Sequence, residues 1–111
     1  MLNVVGLARL TKDPVLKDVG STHVVELSVV TNQYRKVDDK TVSEPHYFNC
    51  TAWDTGAVRL ATDAKKGDRI YIEGILQDNQ WEDSEGNKRS RTVIRISKFE
   101  IFPKKTGVDS E

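Results

Sequence analysis

The sequence has little cysteine and no long apolar run, and these shortages exclude several classes of protein. Cys50 is the one cysteine among 111 residues, so an internal disulfide and the C-x-x-C spacing of zinc sites are both absent. No apolar stretch approaches the roughly 20 residues of a transmembrane helix. Met1 to Leu10 lack the basic start and the small-residue cleavage site of a signal peptide. We therefore expect a cytoplasmic protein without a membrane partner and without a metal.

An excess of charge of either sign is also missing. Lysine and arginine total 17, aspartate and glutamate total 17, and the formal net charge is zero. A strongly basic chain would have indicated a nucleic-acid partner. Binding depends on the electrostatic field at one face rather than on the total charge. Such a partner therefore has to be sought in local clusters of basic and aromatic residues.

Residue sets that perform catalysis are not visible either. The histidines, His23 and His46, fall on different predicted elements, and no spacing suggests a Ser/His/Asp set. Cys50 lies inside a predicted strand, where we expect a buried structural thiol. The acidic pairs Asp38–Asp39 and Glu82–Asp83 fall in predicted loops, which is typical of solvated turns rather than of metal ligands. We predict that the protein is not an enzyme and needs no cofactor.

Short apolar runs separated by turn residues predict a chain made mostly of β-strands. The clearest run places Val25, Leu27 and Val29 on one face, in alternation with polar residues. The alternation of the last run slips near Lys98, which predicts a β-bulge. The predicted strands are Leu2–Leu10, Val24–Thr31, His46–Trp53, residues 70–77 and Arg91–Phe102, with a long loop at Asn32–Glu44 and a turn at Asp83–Asn87.

One segment departs from the β pattern. Apolar residues recur at helical spacing between Asp54 and Lys66, which predicts a helix there. Asp54 or Thr55 is placed to cap its start, and Gly67 is placed to end it. The resulting order is three strands, one helix and two strands. Among small all-β architectures, this is the order of the OB-fold, a five-stranded Greek-key barrel.

Aromatic residues occur near basic ones at places where we predict loops. Tyr34 and Trp81 are each followed by a group of lysines and arginines. A flat ring stacks on any base and neighbouring cations follow the phosphates, so this pattern favours contact with single strands without sequence reading. The strand residues Tyr47, Phe48 and Trp53 have an alternative role in the barrel core, because alternation directs one of Tyr47 and Phe48 inward.

Four motifs follow one another along nearly the whole chain. They are N-V-V-G-L-A-R-L-T-K-D-P at Asn3–Pro14, H-Y-F-N-C-T-A-W at His46–Trp53, K-K-G-D-R-I-Y-I-E-G at Lys65–Gly74 and W-E-D-S-E-G-N-K-R at Trp81–Arg89. In this order and spacing, the sequence resembles the bacterial-type single-stranded DNA-binding proteins. We predict one OB-fold DNA-binding domain at residues 1–103 and a short flexible tail at residues 104–111.

The resemblance implies which side chains contact single-stranded DNA. The aromatics that would stack on bases fall on Tyr34, Tyr47, Trp53 and Trp81. Basic partners are expected among Arg9, Arg35, Lys36, Lys65, Lys88, Arg89 and Arg91. The resemblance also implies a role in DNA replication, repair or recombination.

The sequence departs from the family pattern in three respects. Residues 77–80, before Trp81, carry no positive charge where the family is often basic, which predicts weaker or more salt-sensitive binding. The family's long linker is missing. The sequence ends at Asp109–Ser110–Glu111 without the acidic, phenylalanine-ended tip that recruits replication and repair partners, so recruitment through such a tip is in doubt.

Two further points stay open in the sequence. The first predicted strand, with Val4, Val5, Leu7 and Leu10, is too apolar for an exposed barrel edge, which predicts a homo-oligomer. The resemblance implies a tetramer of paired dimers, with a dimer as the alternative. The competing function is an OB-fold protein-interaction module of the primosome-accessory kind that binds DNA weakly. Zero net charge and the missing acidic tip favour that module, and the aromatics in predicted loops favour the DNA binder.

Overall fold

The computed structural model describes residues 1–104, and strands make up most of them. Within these residues the elements are β1 Leu2–Leu10, β2 Val15–Val19, β3 Thr22–Val37, β4 Lys40–Trp53, α1 Asp54–Asp63, β5 Arg69–Glu82 and β6 Lys88–Phe102. Apart from Lys104, the predicted tail lies outside the described residues. The predicted domain boundary therefore stays a prediction.

All the strands belong to one sheet that curls into a barrel. Neighbouring strands follow the order β1-β5-β6-β4-β3-β2, and a short β1–β3 contact brings the two sides together. In that contact Arg9 lies opposite Val30, and Leu10 lies opposite Val29. The predicted OB-fold is confirmed, with two corrections to its elements. The barrel carries one more strand than the five predicted, and its helix follows the fourth strand instead of the third.

The additional strand is β2, which the sequence pattern did not predict. It pairs antiparallel with the first half of β3, from Val15 opposite Glu26 to Val19 opposite Thr22. All of its side chains are exposed. Alternation of apolar and polar residues marks a strand only when one of its faces is buried. A fully exposed edge strand such as β2 therefore leaves no such mark.

The core lies on the inner side of the sheet. Val25, Leu27 and Val29, predicted to share the buried face of their strand, are 0%, 2% and 2% exposed. Cys50 is also buried, as predicted, at 1% exposed. Burying a side chain of the size of valine or leucine contributes about 1.5–3 kcal/mol. The same cluster contains Ala8, Leu10, Ala52, Ile70, Ile72, Ile94 and Ile96.

The predicted loop at Asn32–Glu44 is wrong, because most of it forms the extended arms of the β3–β4 hairpin. Pairing continues without interruption from Val24 opposite Trp53 to Val37 opposite Lys40. The turn consists of Asp38 and Asp39, whose φ angles are 52° and 63°. Two-residue hairpin turns with positive φ at both positions match the right-handed twist of their strands. The hairpin therefore extends as a regular ribbon.

The helix is shorter than predicted and is capped differently. It spans Asp54–Asp63 and buries Ala57 and Leu60 against the core. Its N-cap is Trp53, which makes no side-chain capping bond. The carboxylate of Asp54 instead accepts a 2.6 Å hydrogen bond from the hydroxyl of Thr22. Within residues 1–104, no helix is long and apolar enough to cross a membrane.

The bulge predicted near Lys98 is confirmed. Glu73 of β5 lies opposite Lys98 and Gly74 lies opposite Ile96, so Ser97 is the extra residue of β6. The hydroxyl of Ser97 donates to the carbonyl oxygen of Glu73 at 3.0 Å. Gly74 faces the bulged strand so closely that a Cβ atom built on it would lie 2.3 Å from the carbonyl oxygen of Arg95. Only glycine fits at this position of the sheet.

Candidate nucleic-acid interface

The register of the β3–β4 hairpin directs three of the four predicted stacking residues to one side of the sheet. In β3 the odd-numbered Val25, Leu27 and Val29 point into the core, so the even-numbered Tyr34 points outward. In β4 the buried side chains are Cys50 and Ala52. Tyr47 and Trp53 therefore point outward as well. Tyr47 lies opposite Val30 and Trp53 opposite Val24, both on the outer side of β3.

The fourth aromatic residue lies on the same outer side at the far end of β5. Ile70 and Ile72 point into the core, so odd-numbered positions of β5 face outward up to Trp81. Trp81 lies directly opposite Arg89, and Asn79 lies opposite Arg91. Because β5, β6, β4 and β3 are adjacent in the sheet, the outward side chains of these strands form a continuous surface. We call it the aromatic face, defined by Tyr34, Tyr47, Trp53 and Trp81.

The rings of the aromatic face are accessible to a ligand. Tyr34 is 68% exposed, Tyr47 is 65% exposed and Trp81 is 49% exposed, whereas Trp53 is half-buried. The alternation that directs one of Tyr47 and Phe48 inward selects Phe48, which has the parity of Cys50 and lines an apolar cavity between β1 and β3, but Phe48 is 43% exposed and lies outside the core cluster. Tyr34 and Trp81 lie on strands and not in loops, which corrects the sequence interpretation. Strand backbone fixes their direction more firmly than a loop would.

Arg95 is a cation of the aromatic face that sequence reasoning missed. It lies opposite Thr51, and its guanidinium carbon is 5.4 Å from the centre of the Trp53 ring. This distance allows a cation–π contact, which leaves the positive charge beside an outward ring. The signal was present in the sequence, because Arg89, Arg91 and Arg95 all occupy odd positions of one strand.

The other predicted basic residues divide into those on the aromatic face and those away from it. Lys36, Arg89 and Arg91 share the parity of the rings. Arg35 points to the opposite side of the ribbon, where its Nε lies 3.4 Å from Glu44. Lys88 lies opposite Glu82 and also faces away from Trp81. Arg9 and Lys65 lie at the other end of the barrel, at the end of β1 and just before β5.

The turn between β5 and β6 holds one of these cations in place. Asp83 accepts hydrogen bonds from the backbone N–H groups of Glu85 and Asn87. Its second oxygen accepts from Nε of Arg89 at 3.0 Å. The backbone bond from Asn87 and then the bond from Arg89 lower the pKa of the Asp83 carboxyl. Asp83 is therefore ionised at neutral pH, and it aligns Arg89 beside Trp81.

Comparison with known proteins places this arrangement in one family. Residues 1–102 match the sequence model of the single-strand binding protein family. The chain belongs to this family. It is 32% identical to single-stranded DNA-binding protein 1 of Streptococcus pyogenes, with 93% of this chain and 79% of that protein covered. It is 31% identical to the single-stranded DNA-binding protein of Borreliella burgdorferi, with 85% of this chain and 64% of that protein covered.

A solved structure of another single-stranded DNA-binding protein has the same fold as this chain. A deletion variant of the single-stranded DNA-binding protein from Thermus aquaticus superposes with a TM-score of 0.81 at 20% sequence identity. The match covers 93% of this chain and 51% of the Thermus chain. This chain therefore spans about half to four-fifths of the lengths of these three relatives.

Residues 77–80, just before Trp81, carry no positive charge. The structure shows which polar side chains occupy these positions. Asn79 lies on the aromatic face beside Arg91. Asp78 lies on the other face and accepts a hydrogen bond from the side-chain amide of Gln80 at 3.1 Å. The cations that the strand register places beside Trp81 and Asn79, Arg89 and Arg91, both lie on β6.

The thiol of Cys50 and the possible metal-ligating side chains can be described within residues 1–104. Burial raises the pKa of the Cys50 thiol to about 12, so the sulfur is protonated and unreactive at neutral pH. In the part of the chain that the structure describes, no group of three or more histidine, cysteine, aspartate or glutamate side chains could hold a metal ion.

Proposed function

We propose that this protein binds single-stranded DNA without sequence preference and shields it during replication, repair or recombination. The observation that supports this function most directly is the aromatic face, where four rings point outward from adjacent strands. Each ring offers a stacking platform that accepts any base. The role requires no bond-breaking step, so we assign no enzymatic activity, and we place it in the cytoplasm.

The cations on the aromatic face lie where they can contact the phosphates of a bound DNA strand. Lys36 lies near the tip of the β3–β4 ribbon, Arg95 beside Trp53, and Arg89 and Arg91 beside Trp81. Bases that stack on successive rings leave their phosphates between these charges. Aromatic platforms combined with a basic track give affinity that depends little on sequence.

A fluorescence titration distinguishes DNA binding from the competing function, a protein-docking module that binds DNA weakly. We expect a short oligothymidylate to quench the intrinsic tryptophan fluorescence deeply and saturably at low concentration. Trp81 is 49% exposed and would stack on a base, so its emission reports occupancy. Little quenching, or quenching that does not saturate, would favour the docking module.

Binding should weaken with salt, but less steeply than the total of 17 basic residues suggests. The aromatic face carries Lys36, Arg89, Arg91 and Arg95, and Arg89 is already bonded to Asp83. Each neutralised phosphate contributes about −0.7 to the slope of log affinity against log salt for single strands. For an oligothymidylate of about 6 nucleotides we expect a slope between about −2 and −3. An affinity that does not change between low and moderate salt would contradict the phosphate contacts.

We further propose a homo-oligomer in which the open edge of β1 is covered. Beyond Arg9 and Leu10, the side of β1 that faces β3 has no strand partner among the described residues. Leu2, Val5 and Leu7 are 67%, 67% and 51% exposed along it. An exposed apolar edge of this kind pairs readily with another chain. If two copies pair symmetrically through their β1 edges, the unpaired backbone groups and apolar side chains of both copies are covered.

Sedimentation equilibrium at micromolar concentration should therefore give an oligomer, with a tetramer expected and a dimer as the smaller alternative. Val5→Lys should lower the mass, because it places a charge on the open edge. Val58→Lys is the matched control, since Val58 is an exposed valine on α1, away from β1. A monomeric wild-type protein, or equal masses for the two variants, would overturn this assembly.

A further inference from the structure

A second basic site lies at the end of the barrel opposite Trp81. An open pocket of about 590 Å³ forms where the end of β1, the start of β5 and the end of β6 meet. Its charged and aromatic lining consists of Arg9, Lys66, Arg69, Phe102 and Lys104. We call it the end pocket. Arg69 and Trp81 are twelve positions apart on β5, a separation of up to about 40 Å at 3.4 Å per residue.

Two arginines of the end pocket are held side by side. Arg9 of β1 lies directly opposite Arg69 of β5, and Arg69 lies directly opposite Phe102 of β6. The three residues therefore form one row across three strands on the outer side of the sheet. Like charges placed directly opposite each other destabilise a sheet. An anion between the two guanidinium groups would remove that repulsion, because each guanidinium can donate two parallel hydrogen bonds to it.

The loop that carries Lys66 is fixed to this row by backbone hydrogen bonds. The N–H of Gly67 donates to the carbonyl oxygen of Leu10, and the N–H of Leu10 donates to that of Asp68, both at 2.9 Å. Gly67 has a φ of 93°, and a Cβ atom on it would lie 3.0 Å from Cδ of Lys104. Glycine at this position thus lets the lysine side chain lie across the loop. The end pocket is a built feature of the fold rather than a chance meeting of long side chains.

Two of the carboxylates near the end pocket are engaged by backbone N–H groups, whereas Glu100 lines a neighbouring cavity with Arg69 and Phe102 and, within the described part of the chain, forms no ion pair with Arg69. Asp68 is 6% exposed, and its two oxygens accept from the backbone N–H groups of Lys65 and Lys104 at 2.9 and 2.8 Å. Asp13 accepts from the backbone N–H of Lys66 at 2.8 Å. Among residues 1–104, the ion pairs involve none of the four cations that line the end pocket. Their charge is therefore available to an external anion.

We propose that the end pocket is a second contact site for the same DNA strand, separate from the aromatic face. This inference rests on the proposed function. A phosphate binds between Arg9 and Arg69, with Lys66 and Lys104 completing the positive field. The adjacent base packs on Phe102, which is 43% exposed. A phosphodiester with its base matches the lining better than a free anion does, because an exposed aromatic ring adjoins the cations.

The test compares short and long strands on the double variant Arg9→Gln/Arg69→Gln. An oligothymidylate of about 6 nucleotides occupies only the aromatic face, and one of about 30 nucleotides reaches both sites. We expect the variant to bind the long strand about tenfold more weakly than wild type, with a salt slope smaller in magnitude by about 0.7 to 1.4. Its affinity for the short strand should be unchanged. Its melting temperature should be equal or higher, because the variant removes a like-charge pair.

Lys98→Gln is the control, since Lys98 is an outward-facing cation of β6 that lies opposite Glu73 and outside the end pocket. It should bind both strands as wild type does. Equal long-strand affinity and equal salt slope for wild type and the double variant would refute the end pocket. So would an equal loss on both strand lengths. If neither strand quenches the tryptophan fluorescence of the wild-type protein, the proposed function is refuted, and the second site with it.

Discussion

Gly74→Ala should destabilise the fold severely, lowering the free energy of unfolding by more than about 3 kcal/mol. The added Cβ would lie 2.3 Å from the carbonyl oxygen of Arg95 and 3.2 Å from Cγ2 of Ile94. The first obstacle is backbone in a paired strand, which cannot move aside without loss of ladder hydrogen bonds. A thermal melt should show a decrease of more than about 10 °C for a domain of this size.

Gly6→Ala is the matched control for this substitution. Gly6 also lies in a strand, yet no atom lies within 4 Å of the position that its Cβ would occupy. Alanine in a strand loses less conformational entropy than glycine, so this change should be neutral or slightly stabilising. Equal melting temperatures for the two variants would mean that the bulge adapts, and that Gly74 is not required by the packing.

Trp81→Ala should weaken oligothymidylate binding by about 1–3 kcal/mol, or about 5- to 150-fold, which is the usual range for one base–aromatic stack. The melting temperature should change little, because the ring is 49% exposed and points away from the core. Trp81→Phe should cost less affinity, since a smaller ring remains. In these variants Trp53 is the tryptophan that remains, and its fluorescence reports the oligothymidylate titration. A thermal melt of each variant measures its stability.

Trp53→Ala provides the contrast. Trp53 is half-buried, carries the guanidinium of Arg95 above its ring and is the N-cap residue of α1. Its loss should therefore reduce stability as well as binding. If Trp81→Ala binds oligothymidylate normally, base stacking on Trp81 is wrong. If Trp81→Ala melts much earlier than wild type, the indole packs the β5–β6 hairpin instead.

Sequence periodicity predicted those parts of the fold that have one buried face. The alternation around Val25 and Leu27 and the slip near Lys98 both correspond to observed features. The ribbon arms beyond Thr31 and the whole of β2 have no buried face, so their strands leave no periodic trace. Asp54 has a positive φ of 58° and accepts a hydrogen bond from Thr22, and a capping rule contains neither of these features.

The residue types of the candidate site were also visible in the sequence, but their arrangement was not. Whether Tyr34 and Trp81 share a face depends on strand register, and a segment interpreted as a loop has no register. Arg95 shares the parity of Arg89 and Arg91 in the sequence, but its position beside Trp53 depends on the pairing of β6 with β4. For the same reason, the sequence alone groups Arg9 with the DNA contacts near Trp81, although Arg9 lies opposite Arg69, at the other end of β5.

The open edge of β1 has a consequence for the handling of the protein. Every second residue along Leu2–Leu7 directs its N–H and C=O groups away from β5, toward the unoccupied side of the strand. Removing apolar side chains alone would separate the copies and leave this backbone free to template cross-β aggregation. A monomeric form suited to concentrated samples needs a lysine or a proline on the edge itself, so that the strand rejects all extended chains and not merely its own copy.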